Sequence, residues 1–145
     1  MSIRFRLVTL AFLLGSPAYA VDTPTIEPVD QLMTTARAAI VAQDWSGAIS
    51  ALLDVVDAAP GNADAYNLLG FASRKSGDLD RAWVFYDAAL RINPNHLGAL
   101  EYQGELFILQ GDIAAAEANL VKLAAACGVC AEYADLAAAL GDLGS

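Results

Sequence analysis

The chain has 145 residues, 57% of them hydrophobic and 17% charged, with 8 Lys plus Arg against 17 Asp plus Glu and a formal net charge of −9. That length supports one domain with a modest core. The acidity argues against nucleic acid as a partner, because phosphate binding needs a basic face, and it gives solubility to an alanine-rich surface.

The first twenty residues read "MSIRFRLVTLAFLLGSPAYA". Arg4 and Arg6 form a basic start, Leu7 to Leu14 an apolar stretch, and Ala18-Tyr19-Ala20 a small-x-small cleavage site, which is the layout of a secretory signal peptide over residues 1–20. The apolar run falls short of the ~18 residues a spanning helix needs, so no membrane insertion is expected after cleavage. No cysteine follows the run, against lipoprotein processing, and Arg4 and Arg6 are not adjacent, against a twin-arginine signal. The style of the signal points to the bacterial periplasm, an oxidising space where neighbouring cysteines tend to be bonded. Removal of the segment would leave six Lys plus Arg against seventeen Asp plus Glu. Residues 21–28, "VDTPTIEP", carry two prolines and are expected to be an extended lead-in.

A repeat then occupies most of the chain. "AQDWSGAISALLDVVDAAPGN" from Ala42, "KSGDLDRAWVFYDAALRINPN" from Lys75 and "LQGDIAAAEANLVKLAAACGV" from Leu109 align at an offset of thirty-four residues. Asp44, Asp78 and Asp112 share that offset, as do Ala48, Ala82 and Ala116, Pro60 and Pro94, and Gly70 and Gly104. The units are 29–62, 63–96 and 97–130. In the middle one, Tyr66, Leu69, Gly70 and Ser73 fall on one helical stripe. Ser76-Gly77-Asp78 interrupts it, and Leu79, Ala82, Tyr86, Ala89 and Leu90 form a second stripe that stops at Pro94. Each unit is thus predicted to be a helical hairpin, with Asp78 and Asp112 capping second helices. Gly70 is expected to face Ala82 across the hairpin, and Tyr66 and Tyr86 to fill the space between hairpins. Residues 131–145 place Tyr133, Leu136, Ala137 and Leu140 on one stripe, read as a capping helix and tail.

The middle unit resembles a tetratricopeptide repeat, whose pattern runs W-x2-L-G-x2-Y, A-x3-F, P. Tyr66 stands for the Trp, Leu69, Gly70, Ala82 and Pro94 match, and Tyr86 stands for the Phe, while Ser73 departs from the expected aromatic. The third unit keeps Gly104, Phe107 and Ala116 with Leu120 and Gly128 as departures, and the first keeps Ala48 and Pro60 with Ala36 for the glycine. The resemblance implies an all-α, right-handed solenoid of three hairpins plus a cap, whose first helices line a concave groove for a protein or peptide.

Helical geometry nominates the groove side of each first helix: Asp30, Met33, Arg37 and Val41; then Asp64, Asn67, Phe71, Arg74 and Lys75; then Glu101, Glu105 and Ile108. Arg37, Arg74 and Lys75 would make a cationic patch beside an exposed Phe71, suited to an acidic or carboxylate ligand. Basic residues near a helix end also offset its dipole without binding anything. The two-carboxylate clamp of chaperone-binding members is not supported, because the matching positions hold Met33, Leu68, Gly98 and Tyr102. Trp83 is expected to pack between repeats. Exposed, it would mark a second contact surface, and a homo-oligomer is left open.

Nothing in the sequence assembles a catalytic set. His96 is expected to be a surface turn residue rather than a general base, the "SGD" and "QGD" turns lack the oxygens of a calcium loop, and no phosphate loop or nucleophile motif occurs. A non-enzymatic protein without cofactor or metal is expected. Cys127 and Cys130, in "LAAACGVCAEYADL", admit three readings. A redox dithiol wants a helix N-terminus after a strand, and a metal site wants more ligands than the pair supplies. A local staple between third unit and cap fits the position best. The thiol-redox or metal-handling reading is the alternative function.

Overall fold

The computed structural model describes residues 28–144, so the expected signal peptide and all of the lead-in but Pro28 lie outside the described residues. Seven α-helices follow in order: α1 (Val29–Val41), α2 (Trp45–Ala58), α3 (Ala63–Lys75), α4 (Leu79–Ile92), α5 (Leu97–Gln110), α6 (Ile113–Cys127) and α7 (Ala131–Gly141), with a short 3-10 turn at Asp142–Gly144. Among the described residues there is no strand, and no helix is long and apolar enough to cross a membrane. Three hairpins, α1–α2, α3–α4 and α5–α6, stack in sequence, and α7 packs on α5 and α6. α1, α3, α5 and α7 begin at Val29, Ala63, Leu97 and Ala131, thirty-four residues apart.

One turn recurs at that period. The N–H groups of Asp44, Asp78 and Asp112 donate to the carbonyls of Ala39, Ser73 and Phe107, each at 2.9 Å, closing α1, α3 and α5. The same three residues accept from the N–H groups of Gly47, Arg81 and Ala115 at 2.9, 3.0 and 3.1 Å, opening α2, α4 and α6. The first set is the Schellman closure and the second the N-cap. The residue before each aspartate must be left-handed: Gly77 at φ 90°, Gly111 at φ 80° and, in the first unit, Gln43 at φ 57°. Glycine takes that conformation freely, whereas a side chain is strained in it.

The other connection, from one hairpin to the next, uses proline. Asn93 is extended before Pro94, and Ala59, at φ −140° and ψ 76°, has left the helical region before Pro60, as a residue preceding proline prefers. Asn62 Oδ1 then accepts from Ala65 N–H at 3.0 Å to start α3. Gly128 takes the proline's place in the last seam, at φ 72°, and Cys130 stands at the cap of α7 without a side-chain hydrogen bond to the helix.

Packing follows the stripes, with two corrections. Gly70 makes room for Tyr86 rather than for Ala82: a Cβ on Gly70 would lie 2.5 Å from Tyr86 ring carbons. Tyr86 is fully buried and clusters with Ala82 and Leu106, so it serves both its own hairpin and the next. Tyr66 packs between the first two hairpins, against the cluster of Met33, Leu52, Val55 and Leu69. Trp83 is 43% exposed and Val84 51%, against the expected packing. The buried stripe of α4 runs through Ala82, Tyr86 and Ala89, and the residue one step on from Ala82 is turned about 100° away from it. The cap stripe behaves as predicted, with Leu136 fully buried among Leu100 and Leu123, and Tyr133 and Leu140 packed against them. Leu136 enters a slot left by Gly104, where a Cβ would lie 2.5 Å from its methyl carbon.

Two substitutions test this account by urea unfolding. Gly70→Ala should lose about 1–3 kcal/mol through overpacking against Tyr86, although alanine is the better helix former by about 0.5–1 kcal/mol. Gln43→Gly should gain about 0.5–1 kcal/mol by relieving the left-handed residue. A Gly70→Ala protein as stable as the parent would show that the contact is not tight.

Candidate functional site

Three first helices and the cap present one register to the concave side. Read at thirty-four-residue intervals, its rows are Asp30, Asp64, Gly98, Glu132; then Met33, Asn67, Glu101, Asp135; then Arg37, Phe71, Glu105, Ala139. The α1 and α3 end is open. A cavity of about 320 Å³ is lined by Arg37, Ile40, Val41, Asp64, Asn67 and Leu68, and another of about 390 Å³ next to it by Val29, Asp30, Met33, Thr34, Arg37, Asn62 and Asp64. Arg37, Asp64 and Asn67 are therefore brought together around the first cavity. Met33 reaches the second cavity only by its edge, being 9% exposed and part of the core.

The middle of the groove differs from the expected cationic patch. Arg74 Nη1 lies 2.6 Å from Glu105 Oε2, with the Arg74 side chain only 11% exposed, so its charge is met inside the protein. Phe71 is half-buried rather than exposed, edge-on to Trp45 at 6.0 Å and tilted against Tyr102 at 5.2 Å. The Arg74 guanidinium sits 5.7 Å from the Tyr102 ring and Lys75 Nζ 5.5 Å from the Phe71 ring. Arg37 and Lys75 are the exposed cations of the three. Aromatic residues from α3 and α5 explain the change: Phe71 and Tyr102 flank Arg74 within reach of Glu105.

Burial leaves several polar atoms without partners. Asn67 Oδ1, Ser73 Oγ, Arg74 Nε and Tyr86 Oη are buried and make no hydrogen bond. Ser73, fully buried, occupies the site where the repeat pattern has an aromatic. Glu101 is 7% exposed. Burial, then the charges of Glu105, Asp135 and Glu132, push its carboxyl from the ordinary 4.5 up to about 7, with Arg74 pulling the other way. The Tyr86 hydroxyl is held above its usual range by burial, against the pull of Arg74, and Tyr102 is raised by burial and by Glu101.

His96 is no surface turn residue. Its Nδ1 accepts from Ala99 N–H at 3.1 Å, capping α5, and its Nε2 donates to Asp64 Oδ1 at 2.8 Å on α3, with 11% of the side chain exposed. The capping bond fixes the proton on Nε2. The sequence carried the signal for it, since His96 lies thirty-four residues after the cap Asn62. The same offset would have found Glu132 and Asp135 beside Glu101. Cys127 ends α6 and Cys130 begins α7, their Cα atoms 5.8 Å apart and their sulfurs at bonding distance. Among the described residues, no group of three or more His, Cys, Asp or Glu could hold a metal ion.

No protein-family model matches the chain, and no curated protein is significantly similar to it. Solved structures are. The TPR2B domain of yeast Sti1, solved as a complex with pHsp70, has 19% identity and a TM-score of 0.71 over 79% of this chain and 97% of its own. The TPR domain of Arabidopsis OM64 has 14% identity and a TM-score of 0.74 over 81% and 98%. The Yersinia enterocolitica type III secretion chaperone SycD, in complex with a peptide of the translocator YopD, has 16% identity and a TM-score of 0.71 over 82% and 92%. The fold is that of a tetratricopeptide-repeat domain, as the sequence pattern implied.

Glu101 makes stability depend on pH in a definite direction. Its folded-state value of about 7 lies above the ordinary 4.5. The folded protein therefore holds a proton that the unfolded chain has lost in between, and stability falls as pH rises from about 4.5 through 7. Glu101→Gln should remove that fall, gaining on the order of 2 kcal/mol at pH 8 and little at pH 4. Urea midpoints of the two proteins that run parallel across this range would contradict the assignment.

Proposed function

We propose that the protein is a non-enzymatic interaction module that holds a segment of a partner protein across the concave face of α1, α3, α5 and α7. The observation that carries this reading is the cavity between α1 and α3. It is walled by apolar Ile40, Val41 and Leu68, and it offers the polar residues Arg37, Asp64 and Asn67. An apolar pocket with a few convergent polar groups suits a peptide side chain and its backbone amides. The fold-related SycD holds a YopD peptide, which agrees with a peptide as ligand. The Sti1 domain, solved with pHsp70, is a weaker guide to the ligand: Met33, Leu68, Gly98 and Tyr102 do not supply a two-carboxylate clamp.

Selection from a random-peptide library on the immobilised protein tests the groove. Peptides so chosen should bind Arg37→Ala and Asn67→Ala about tenfold more weakly, while Lys122→Ala, on the outer helix α6, should bind as the parent does. Unchanged affinity in both groove variants would reject the proposal.

We further propose export to the bacterial periplasm on the signal of residues 1–20, with Cys127 and Cys130 as a permanent clasp between α6 and α7. What supports the clasp is the short Cα separation and the absence of a side-chain cap on Cys130. The protein recovered from periplasm should begin at Val21 and weigh two hydrogens less than its reduced form. Its reduction potential should lie below about −300 mV, where structural disulfides fall. A potential well above that would favour thiol exchange as the role of the pair.

A further inference from the structure

α4 is apolar on two sides. Its buried stripe runs through Ala82, Tyr86 and Ala89. The side turned away from that stripe carries Asp80, Trp83, Val84 and Asp87, whose spacing of i, i+3, i+4 and i+7 puts them on one face. Trp83 is 43% exposed and Val84 51%. The repeat does not require this pair, because the matching positions hold Ile49 and Glu117 for Trp83, and Ser50 and Ala118 for Val84. Anchors at that spacing are what a helix offers when it docks in the groove of another protein. Asp87 is held by Arg91 at 2.8 Å, whereas Asp80 is exposed and has no ion pair among the described residues.

The cavity between α1 and α3 is the counterpart of that face. Its apolar walls, Ile40, Val41 and Leu68, border about 320 Å³, room enough for one aromatic side chain. Two charged residues line both this cavity and its neighbour, Arg37 and Asp64. Asp64 is engaged by His96 Nε2 at 2.8 Å. Arg37 is exposed and has no ion pair among the described residues. The cavity thus pairs apolar walls with one unmatched cation, and the α4 face pairs apolar side chains with one unmatched anion. In each the charge stands three residues before an apolar side chain, Arg37 before Ile40 and Asp80 before Trp83.

We propose that the groove receives a second copy of this chain, with Trp83 of α4 entering the cavity and Asp80 meeting Arg37, so that copies associate head to tail. The proposal rests on the reading of the cavity as a site for a protein segment. The α4 face and the cavity are different surfaces of the chain, so the contact is heterologous: every docked pair keeps a free cavity at one end and a free α4 face at the other. Copies with a net charge of −9 repel one another. At physiological salt only charges within about 8 Å of each other count for much, and at that range the contact sets acid against base.

Sedimentation velocity of the purified protein at physiological salt tests it. The parent should grow in size between micromolar and millimolar concentration, the range of a small interface. Trp83→Ala, which keeps the cavity, and Arg37→Glu, which keeps the α4 face, should each associate about tenfold more weakly or worse. Mixed in equal amounts, these two variants should form a one-to-one dimer and nothing longer, because each supplies the half that the other lacks. A parent that stays monomeric throughout overturns the proposal. So does an Arg37→Glu protein that associates as the parent does, which would mean that α4 faces pair with each other, and so does a mixture that stays monomeric. If library peptides bind through Arg37 and Asn67 while the parent is monomeric, the groove reading stands and self-docking falls. If Arg37→Ala and Asn67→Ala change neither peptide binding nor self-association, both fall.

Discussion

The structure depends on a single residue doing two jobs three times. Asp44, Asp78 and Asp112 close one helix with the backbone N–H and open the next with the carboxylate. A side chain that is committed to the second helix while its backbone is committed to the first leaves the hairpin little freedom of angle. The orphan donors and acceptors at two helix ends are met in one stroke. Because the unit is repeated without change of length, the angle is repeated too, and first helices accumulate on one side as a continuous wall. The groove is thus a consequence of turn chemistry before any groove residue is chosen.

On that frame, glycine decides what the second layer can hold. Gly70 admits the Tyr86 ring from its own hairpin, and Gly104, its counterpart one repeat on, admits Leu136 from the cap. The same missing Cβ serves different partners because the third hairpin has the smaller Leu120 where the second has Tyr86, and the following helix can come in closer. Tyr86 pays for its central position with a hydroxyl that finds no partner, yet its ring ties Ala82 to Leu106 across the seam between hairpins. Burying a large aromatic there stabilises by far more than the cost of a single unmet hydroxyl.

Whatever repeats was legible in the sequence, and whatever crosses between repeats was much less so. Helix ends, turns, the caps Asp78 and Asp112 and the apolar stripe of the last helix are local consequences of residue type, and a fixed period confirms each of them more than once. Of the positions that share the first-helix register, Arg37, Asp64 and Asn67 line one cavity. The pairing of Arg74 with Glu105, thirty-one residues away, depends on how α3 and α5 lie side by side, which composition does not reveal. His96 looked like a turn residue because its two partners are a backbone amide three residues on and a carboxylate on another helix. Trp83 looked like core because aromatic residues usually are, but α4 buries the stripe through Ala82 and leaves its neighbour outside. Glu132 and Asp135 are less legible, because the stripe through Tyr133, Leu136 and Leu140 marks the last helix as a cap that covers an open face.

The cap helix links two features that are separate in the sequence, the cysteine pair and the groove. Asn62 and His96 start α3 and α5 with side-chain caps, and the residue at the same place before α7 is Cys130, which makes no such bond. The last seam also has Gly128 where the earlier ones have proline, so it is the joint with the least built-in stiffness. A covalent tie from Cys127 to Cys130 restores at that joint what a cap and a proline supply elsewhere. Its effect is felt beyond the joint, because α7 carries Glu132 and Asp135 into the groove and seats Leu136 against α5. The clasp holds in place the wall that gives the C-terminal half of the groove its charge. Where the cysteines hold the cap therefore decides where Glu132 and Asp135 stand relative to Glu101.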